Sequence, residues 1–402
     1  MSAFQSATSA QSLRAAWKYR KTRLRSSCFG IDRVTGQAFE RNLDREIREL
    51  RHRLSSKFKP HDLLALVKPK LSGGARVICV PTIADRVLQF SLIDELRPRL
   101  AAMGLDNSVS YGLVQGRERS VLGARDFACK ARVERSWAYK TDIQKFFDNI
   151  DRSVLQRTLR GAVRKSTLLP LLDAFIHTEI GDGLDPKWKR LVNEAGIQKG
   201  SGVRQGMPLS PFFAGAYLRD IDRSLLRRGG LTARYVDDII SFFATEAEAL
   251  KFHWTLKAEL AGLGLAVGDP GAPNSKTAIY APDQSAEFLG MELTPTPNGA
   301  YQLRIGKRTI DKVVQGISDA CSPSALLDRR VTLTTMGTYF YGLQAGYINA
   351  YIGAYNRDEL RDAMSSASRK AQRKVLEALF GLQRLRNLGQ AELRFVGVDS
   401  GD

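Results

Sequence analysis

The stretch "ARYVDDIISFF", Ala233 to Phe243, places two adjacent aspartates inside a run that otherwise favours a β-strand. Val236, Ile239 and Ile240 are β-branched, a type that strands favour, whereas Asp is depleted in strands. Two explanations are open: the pair marks an exposed hairpin turn, or a positive charge lies against it.

The composition describes a globular and strongly basic chain. Its 402 residues, 43% of them hydrophobic, are enough for a sizeable core in two or three subdomains. The 61 Lys and Arg against 42 Asp and Glu leave a net charge of +19. A surplus of this size favours a polyanionic partner, either nucleic acid or an anionic membrane surface.

The cysteines and the apolar runs favour a cytoplasmic protein. Cys28, Cys79, Cys129 and Cys321 lie far apart without C-x-x-C spacing, which indicates neither a zinc site nor a disulfide framework. No apolar run approaches the roughly 18 residues that a membrane helix needs. We therefore expect a cytoplasmic location and no membrane partner; a homo-oligomer is left open.

Turn and cap residues predict the main elements. "LLALVKPKLSGGARVICVP" predicts a β-hairpin around Ser-Gly-Gly. Thr82 and Asp151 are typical N-caps of helices that follow them, and Ser210 is predicted to cap a single helix that ends at Gly229. Strands are expected around "KTAIYA", "AEFLGMEL" and "YQLRI", and helices beyond about residue 306.

Two basic segments flank this region. Residues 11–60 are predicted to be helical, and their basic face is either a solvated surface or a nucleic-acid contact. Near the other end, a helical run carries basic residues that could follow a phosphate backbone: Arg369, Lys370, Arg373 and Lys374.

Three aspartates are candidate metal ligands. Asp142 ends a predicted strand, and Asp237 and Asp238 lie at the predicted turn. Hard cations such as Mg²⁺ take oxygen ligands, and a pair of them would relieve the repulsion between adjacent carboxylates. A Y-x-D-D tetrapeptide alone is a weak signal, and taken alone it favours a solvated turn.

The order of the neighbouring motifs resembles the reverse transcriptases. "KTDIQKFFDNID" resembles the first catalytic motif, "GSGVRQGMPLSP" the Q-G-x-x-x-S-P motif, and "YVDD" the catalytic hairpin. "NSKT" is similar to the lysine motif and "FLG" to the primer grip. "KPKLSGGARVICVPTIADRVLQ" and "SYGLVQGRERS" resemble the fingers of bacterial enzymes of the group II intron lineage. The likeness runs from about Leu64 to Leu293 in the family's order.

This resemblance implies a right-hand polymerase with an α+β fold, in which fingers and palm share an RRM-like antiparallel sheet with helices and the thumb is α-helical. We expect a basic helical extension at residues 1–60, fingers at 61–135, palm at 136–300 with some fingers elements inserted, and at 301–402 a helical thumb with the basic segment. The implied cofactor is Mg²⁺, two ions per active site, with Mn²⁺ as an alternative. The implied partners are an RNA template, dNTPs and a cDNA product.

Residue roles follow from the same resemblance. Asp142 and Asp237 would coordinate both metals, with Asp238 a supporting ligand. The residues implied to bind the incoming nucleotide are Lys70, Arg76, Phe147, Gln205, Gly206 and Lys276. Those implied to contact nucleic acid are Arg117, Tyr235, Phe288, Leu289 and Gly290. Lys276 is either a proton donor to the departing pyrophosphate or an ordinary surface lysine.

Phe147 bears on which nucleotide is used. An aromatic residue five positions after the catalytic aspartate resembles the steric gate that excludes a 2′-hydroxyl, which predicts a preference for deoxynucleotides. The alternative is core packing by one of Phe146 and Phe147, since strand alternation lets only one face inward.

Some features depart from the family pattern. "SYGLVQGRERS" has Val114 and Gln115 where the fingers often carry arginine and proline, and "GLAVGDPGAPNSKT" is a longer link to the lysine motif. The resemblance favours a stand-alone reverse transcriptase of antiviral defence that copies a partner noncoding RNA. A maturase-like RNA-binding protein that promotes splicing and a template-independent polymerase are the alternatives.

Overall fold

The computed structural model describes residues 1–69, 75–113, 116, 118–164, 166–182, 186–381, 383 and 389. The chain divides into two units. Unit 1 comprises Met1–Ala124 and Tyr139–Ile279, and unit 2 comprises Arg125–Ala138 and Tyr280–Asp402. The predicted domain boundaries near residues 60, 135 and 300 stay predictions.

Helices make up most of the described chain. In chain order they are α1 (Ala3–Ala7), α2 (Ala10–Arg25), α3 (Gly36–Arg41), α4 (Leu43–Leu54), α5 (Ile83–Leu96), α6 (Val121–Glu134), α7 (Phe146–Asn149), α8 (Arg152–Val163), α9 (Leu169–Ile176), α10 (Pro186–Glu194), α11 (Ser210–Tyr217), α12 (Arg219–Arg227), α13 (Glu246–Ala261), α14 (Lys307–Ala320), α15 (Pro323–Asp328), α16 (Leu333–Ala350) and α17 (Arg357–Phe380), with a short 3₁₀ turn at Arg97–Arg99.

The strands of the described residues are β1 (Leu64–Pro69), β2 (Ala75–Val80), β3 (Ser110–Tyr111), β4 (Trp137–Asp142), β5 (Leu231–Tyr235), β6 (Asp238–Phe243), β7 (Ala278–Tyr280), β8 (Ala286–Phe288), β9 (Met291–Pro295) and β10 (Tyr301–Arg304). They form a β1–β2 hairpin, a β10–β9–β8 sheet, and a larger sheet in the order β3–β5–β6–β4–β7. In the larger sheet β5 and β6 are antiparallel, whereas the two-residue edge strand β3 is parallel to β5.

Several elements lie where the turn and cap residues predict them. β1 and β2 pair antiparallel with Lys68 opposite Arg76, which confirms the hairpin. The Thr82 hydroxyl accepts a hydrogen bond from the Asp85 amide at the start of α5. The Asp151 carboxylate accepts hydrogen bonds from the first turn of α8. Each side chain satisfies backbone donors that a helix start leaves without an intrahelical partner.

The predicted single helix from Ser210 to Gly229 is wrong. The cap is Leu209, and the chain breaks at Leu218 into α11 and α12. The Ser210 hydroxyl donates to the Arg204 carbonyl at 2.8 Å, so a contact with the preceding loop uses the group that was expected to cap. The predicted apolar stripe persists across the break, because Tyr217, Ile221 and Leu225 are all buried.

The basic N-terminal helices are compensated by carboxylates within unit 1. Arg14 pairs with Asp44, Arg20 with Asp94, and both Lys21 and Arg25 with Glu40. On the inner face of α2, Trp17 packs against Phe39 with ring centroids 5.0 Å apart. These contacts favour the solvated-surface interpretation of this segment over a phosphate contact.

Unit 2 contains the helices expected after residue 306. α14, α15 and α16 each contact α17. Its three-stranded sheet is held by Arg132 of α6, whose guanidinium donates to the carbonyls of Leu293, Ala281 and Gln284. Among the described residues, no helix is both long enough and apolar enough to span a membrane.

A buried ion pair joins α12 to β5 in unit 1. Arg234 Nη2 lies 2.6 Å from Asp222 Oδ2, and the two side chains are only 2% and 1% exposed. Arg234 Nε also donates to Asp222 Oδ1 at 2.6 Å, so the contact is bidentate. Both charges are removed from water, and each therefore depends on the other.

We expect Asp222→Ala to lower the free energy of unfolding by about 3–5 kcal/mol, because it leaves the Arg234 charge buried without its partner. Urea denaturation measures the loss. The matched control is Asp44→Ala, which removes the exposed Arg14–Asp44 pair, 48% and 67% exposed, and should cost about 1 kcal/mol or less. Equal losses in the two variants would show that the buried pair is not a special contributor.

Candidate active site

The two adjacent aspartates lie at a tight hairpin. Tyr235 at the end of β5 faces Asp238 at the start of β6, so Val236 and Asp237 form the turn. Val236 has φ of 59°, a left-handed conformation that is unfavourable for a β-branched residue. The predicted hairpin turn is confirmed, and its backbone is strained.

The buried arginine of β5 supports that turn. Arg234 Nη1 donates to the Val236 carbonyl at 2.8 Å, and Nη2 donates to Ser110 Oγ at 3.0 Å. Its other donors are directed to Asp222. One guanidinium thus connects α12 and β3 with Val236, the residue directly before Asp237. These contacts hold the backbone of the turn that carries Asp237.

The larger sheet brings the third aspartate to the same place. Asp142 ends β4, which is the neighbour of β6. The amide of the next residue, Ile143, donates to the Asp237 carbonyl at 3.1 Å. Two strands almost a hundred residues apart in sequence therefore present their carboxylates at one edge.

The proximity of these carboxylates affects the pKa of Asp237. Burial, reinforced by the charges of Asp142 and Asp238, raises the pKa of Asp237 to about 6. Two lysines oppose the negative charge: Lys276 Nζ lies 2.5 Å from Asp142 Oδ2, and Lys140 Nζ lies 3.2 Å from Asp238 Oδ1. Both explanations of the aspartate pair are therefore correct: the pair lies at a hairpin turn, and positive charges lie against the carboxylates.

This donor set fits hard divalent cations, which take carboxylate oxygens. Across the part of the chain that the structure describes, no group of three or more His, Cys, Asp or Glu side chains is arranged so that it could hold a metal ion. Asp142 and Asp238 are instead ion-paired with lysines. A bound cation would supply the charge neutralisation that the two ammonium groups provide here.

Several residues predicted to bind the nucleotide line one cavity with the aspartates. Arg76, Phe147, Gln205 and Lys276 all border it together with Asp142 and Asp237. Lys276 is 70% exposed and ion-paired with Asp142, so it belongs to this cavity. Lys70 and Arg117 lie outside the described residues.

Gly206 is required by packing against the β1–β2 hairpin. Its φ is 115°, and a Cβ there would lie 2.6 Å from the Cys79 carbonyl oxygen of β2. The neighbouring Gln205 carbonyl accepts a hydrogen bond from the Cys79 amide at 2.7 Å. The structure therefore shows a close approach of Gly206 to β2, and the predicted contact of Gly206 with the nucleotide stays a prediction.

The two phenylalanines after Asp142 divide between core and cavity. Phe146 is 2% exposed and packs near Tyr217, whereas Phe147 is half-buried and borders the cavity. The prediction that only one of them faces the core holds, but strand alternation is not its cause, because both residues belong to the helix α7. This helix begins after Lys145, whose φ is 45°. On a helix, successive side chains point about 100° apart.

Tyr235 is half-buried against the SYG segment. A Cβ at Gly112 would lie 2.8 Å from its ring, so the ring requires glycine at that position. Its predicted contact with nucleic acid stays a prediction.

In unit 2 the FLG segment comprises Phe288 at the end of β8 and the two-residue turn Leu289–Gly290 that leads to β9. Phe288 is 1% exposed and belongs to the core, while Leu289 and Gly290 have φ of 48° and 80°. The Arg125 guanidinium donates to the carbonyls of Leu289 and Ala350. Of the three residues, Leu289 and Gly290 are the ones within reach of solvent.

The four basic residues predicted on the C-terminal helix are exposed on α17: Arg369, Lys370, Arg373 and Lys374. Arg373 Nε contacts Glu377 Oε1 at 3.1 Å. Their role in binding a phosphate backbone stays a prediction.

Sequence reasoning missed Lys140, Arg234 and Asp222. The available signal was charge inside an apolar context, since Arg234 interrupts a buried strand and is twelve residues from its partner. A pattern of this kind indicates that a buried partner exists without identifying it.

A family model matches the stretch of the chain that contains these motifs. The family model described as "Reverse transcriptase (RNA-dependent DNA polymerase)" matches residues 67–293, more than half of the 402 residues. Protein YkfC of Escherichia coli strain K12 is 24% identical over 208 residues, or 50% of each chain, so the chain spans half the length of this curated relative.

Solved structures with a detectable likeness include telomerase from Candida albicans with a telomeric RNA fragment, at a TM-score of 0.46 and 11% identity, covering 88% of this chain and 69% of that one. Apo telomerase from Candida tropicalis gives 0.42 and 14%, covering 90% and 66%. A chain of a partial Cas6-RT-Cas1–Cas2 complex gives 0.37 and 19%, covering 65% and 42%.

With the match over residues 67–293 and three aspartates gathered at the hairpin, the chain belongs to the reverse transcriptase (RNA-dependent DNA polymerase) family and has the α+β fold expected of it.

Proposed function

We propose that this protein is an RNA-directed DNA polymerase that joins deoxynucleotides along an RNA template. The observation that carries the proposal is the convergence of Asp142, Asp237 and Asp238 in front of a cavity lined by Arg76 and Gln205. A site for charged phosphates needs this combination of carboxylates for cations and a guanidinium for phosphate oxygens.

The three aspartates would hold two divalent cations, with Mg²⁺ as our proposal and Mn²⁺ as an alternative. When bound, such a pair stabilises the attacking and leaving oxygens of an in-line phosphoryl displacement. Reverse transcriptases generally use divalent ions, in agreement with the oxygen donors present here.

Other side chains of the cavity orient the substrate. The exposed Arg76 guanidinium can grip triphosphate oxygens in a fork. Lys276, already paired with a catalytic carboxylate, is placed to neutralise or protonate the departing pyrophosphate. Phe147 would lie against the sugar and exclude a 2′-hydroxyl.

The purified protein should extend a DNA primer on an RNA template with dNTPs and a divalent cation, and should incorporate nucleotides only where a template directs them. Asp142→Asn or Asp237→Asn should slow extension on the order of 10³-fold or more, because each removes several kcal/mol of stabilisation of the reaction's charge. Single-turnover primer extension measures the rate.

Asp220→Asn is the control, since Asp220 is 68% exposed and outside the cavity. Extension that persists in the Asp142 and Asp237 variants would refute the proposed chemistry, and equal extension without template would instead support template-independent addition. Lys276→Ala belongs in the same assay, where an unchanged rate would remove Lys276 from proton transfer.

Phe147→Ala should raise ribonucleotide incorporation relative to deoxynucleotides by about tenfold, because it opens space where a 2′-hydroxyl would lie. Competition assays with rNTP and dNTP pairs measure this ratio. Phe146→Leu is the matched control: it perturbs the neighbouring core and should leave the ratio unchanged. An unaltered ratio in Phe147→Ala would exclude the gate.

We further propose a role in bacterial antiviral defence, with a noncoding RNA as template, by analogy with small reverse transcriptases of the group II lineage. Sequencing the nucleic acid that copurifies with the protein should then recover an RNA encoded next to the gene, together with its complementary DNA. Splicing of a flanking intron that survives Asp237→Ala would instead favour a maturase-like protein.

A further inference from the structure

The loop at residues 198–206 is hydrogen-bonded both to Phe147 and to β2. The Val203 amide donates to the Phe147 carbonyl at 2.8 Å, and the Gln205 carbonyl accepts from the Cys79 amide at 2.7 Å. Phe147 and Gln205 both border the cavity. The position of this loop therefore bears on the spacing between the proposed gate, Phe147, and Gln205.

The carboxylate of Glu179 lies at the centre of the loop's contacts. Its Oε1 accepts from the Gly200 amide at 2.9 Å and from Arg152 Nη2 at 2.8 Å. Its Oε2 accepts from Arg204 Nε at 3.0 Å. Charge-assisted bonds of this kind are shorter and stronger than neutral ones.

Each arginine that binds Glu179 also donates a hydrogen bond to a backbone carbonyl of the loop. Arg152 Nε donates to the Gly202 carbonyl at 2.7 Å, and Arg204 Nη2 donates to the Gln198 carbonyl at 2.6 Å. The arginine side chains are only 9% and 2% exposed. Because both charges are largely desolvated, they depend on the single Glu179 carboxylate.

The surrounding backbone leaves the loop little freedom. The Glu179 carbonyl accepts from the Leu63 amide at 2.8 Å, which anchors this residue beside β1. On the loop's other side, a Cβ at Gly202 would lie 2.5 Å from the Asp148 carbonyl oxygen, so the loop is pressed against α7. Glu179 is thus anchored beside β1, and its side-chain contacts hold the loop against α7, the helix that contains Phe147.

We propose that Glu179 is a positioning residue for nucleotide selection: through Arg152 and Arg204 it holds loop 198–206, and with it the spacing between Phe147 and Gln205. The kinetic part of this inference rests on the proposed polymerase function. Glu179 itself does not border the cavity that contains the aspartates, so its effect is on substrate fit.

The test is Glu179→Gln, which keeps the shape and removes the charge. The KM for dNTP should rise about tenfold and discrimination against rNTP should fall by a similar factor, while kcat changes by less than about threefold, because ground-state positioning is lost and the aspartates are untouched. Amide hydrogen exchange in residues 198–206 should become about tenfold faster. Glu179→Asp, which keeps the charge, should partly restore both readouts.

The control is Asp94→Asn, which breaks a bidentate carboxylate–arginine pair with Arg20 between α2 and α5 and should leave selectivity and loop exchange unchanged. If Glu179→Gln does not fold, Arg152→Lys tests the same contact, because lysine lacks the guanidinium that binds both Glu179 and the Gly202 carbonyl.

Unchanged exchange in loop 198–206 together with unchanged discrimination would overturn the inference. Faster exchange in a protein whose unaltered form makes no DNA would refute the polymerase proposal and leave the positioning contact established.

Discussion

One buried guanidinium supports the geometry on which this protein depends. Arg234 is bonded to both oxygens of Asp222, to Ser110 and to the carbonyl of Val236. A left-handed β-branched residue costs about 1–2 kcal/mol, and two desolvated charges cost several more. Such a pair is therefore weak evidence for stability. Its value here is positional, because the same guanidinium also holds the Val236 carbonyl, directly before Asp237.

The same site shows how opposing charges make a cluster of carboxylates tolerable. Burial and the charges of the neighbouring aspartates raise the pKa of Asp237, while the ammonium groups of Lys276 and Lys140 lie against Asp142 and Asp238 and offset their negative charge. Divalent cations would act in the same direction more strongly. The lysines also make the site bipolar: the carboxylates suit cations, and Arg76 and Lys276 suit phosphate oxygens.

The basic surplus of the whole chain is distributed unevenly. At the N-terminal helices, Arg14, Arg20, Lys21 and Arg25 are matched by carboxylates that fasten α2 to its neighbours. On α17 the side chains of Arg369, Lys370, Arg373 and Lys374 are exposed. Net charge alone predicted a polyanionic partner, yet it could not distinguish arginines that serve internal packing from arginines that remain accessible to a phosphate backbone.

The sequence by itself determined the β1–β2 hairpin, the caps at Thr82 and Asp151 and the turn within "ARYVDDIISFF", because these depend on dihedral preferences and hydrogen bonds between near neighbours. The ordered motifs also identified the three aspartates. Only the tertiary structure decided the break at Leu218, the helical setting of Phe146 and Phe147, and the partners of Asp142, Asp222 and Glu179. Lys276 is 134 residues from Asp142 along the chain. Local patterns show that a charge or ring must be satisfied, whereas its partner is set by which distant elements pack together.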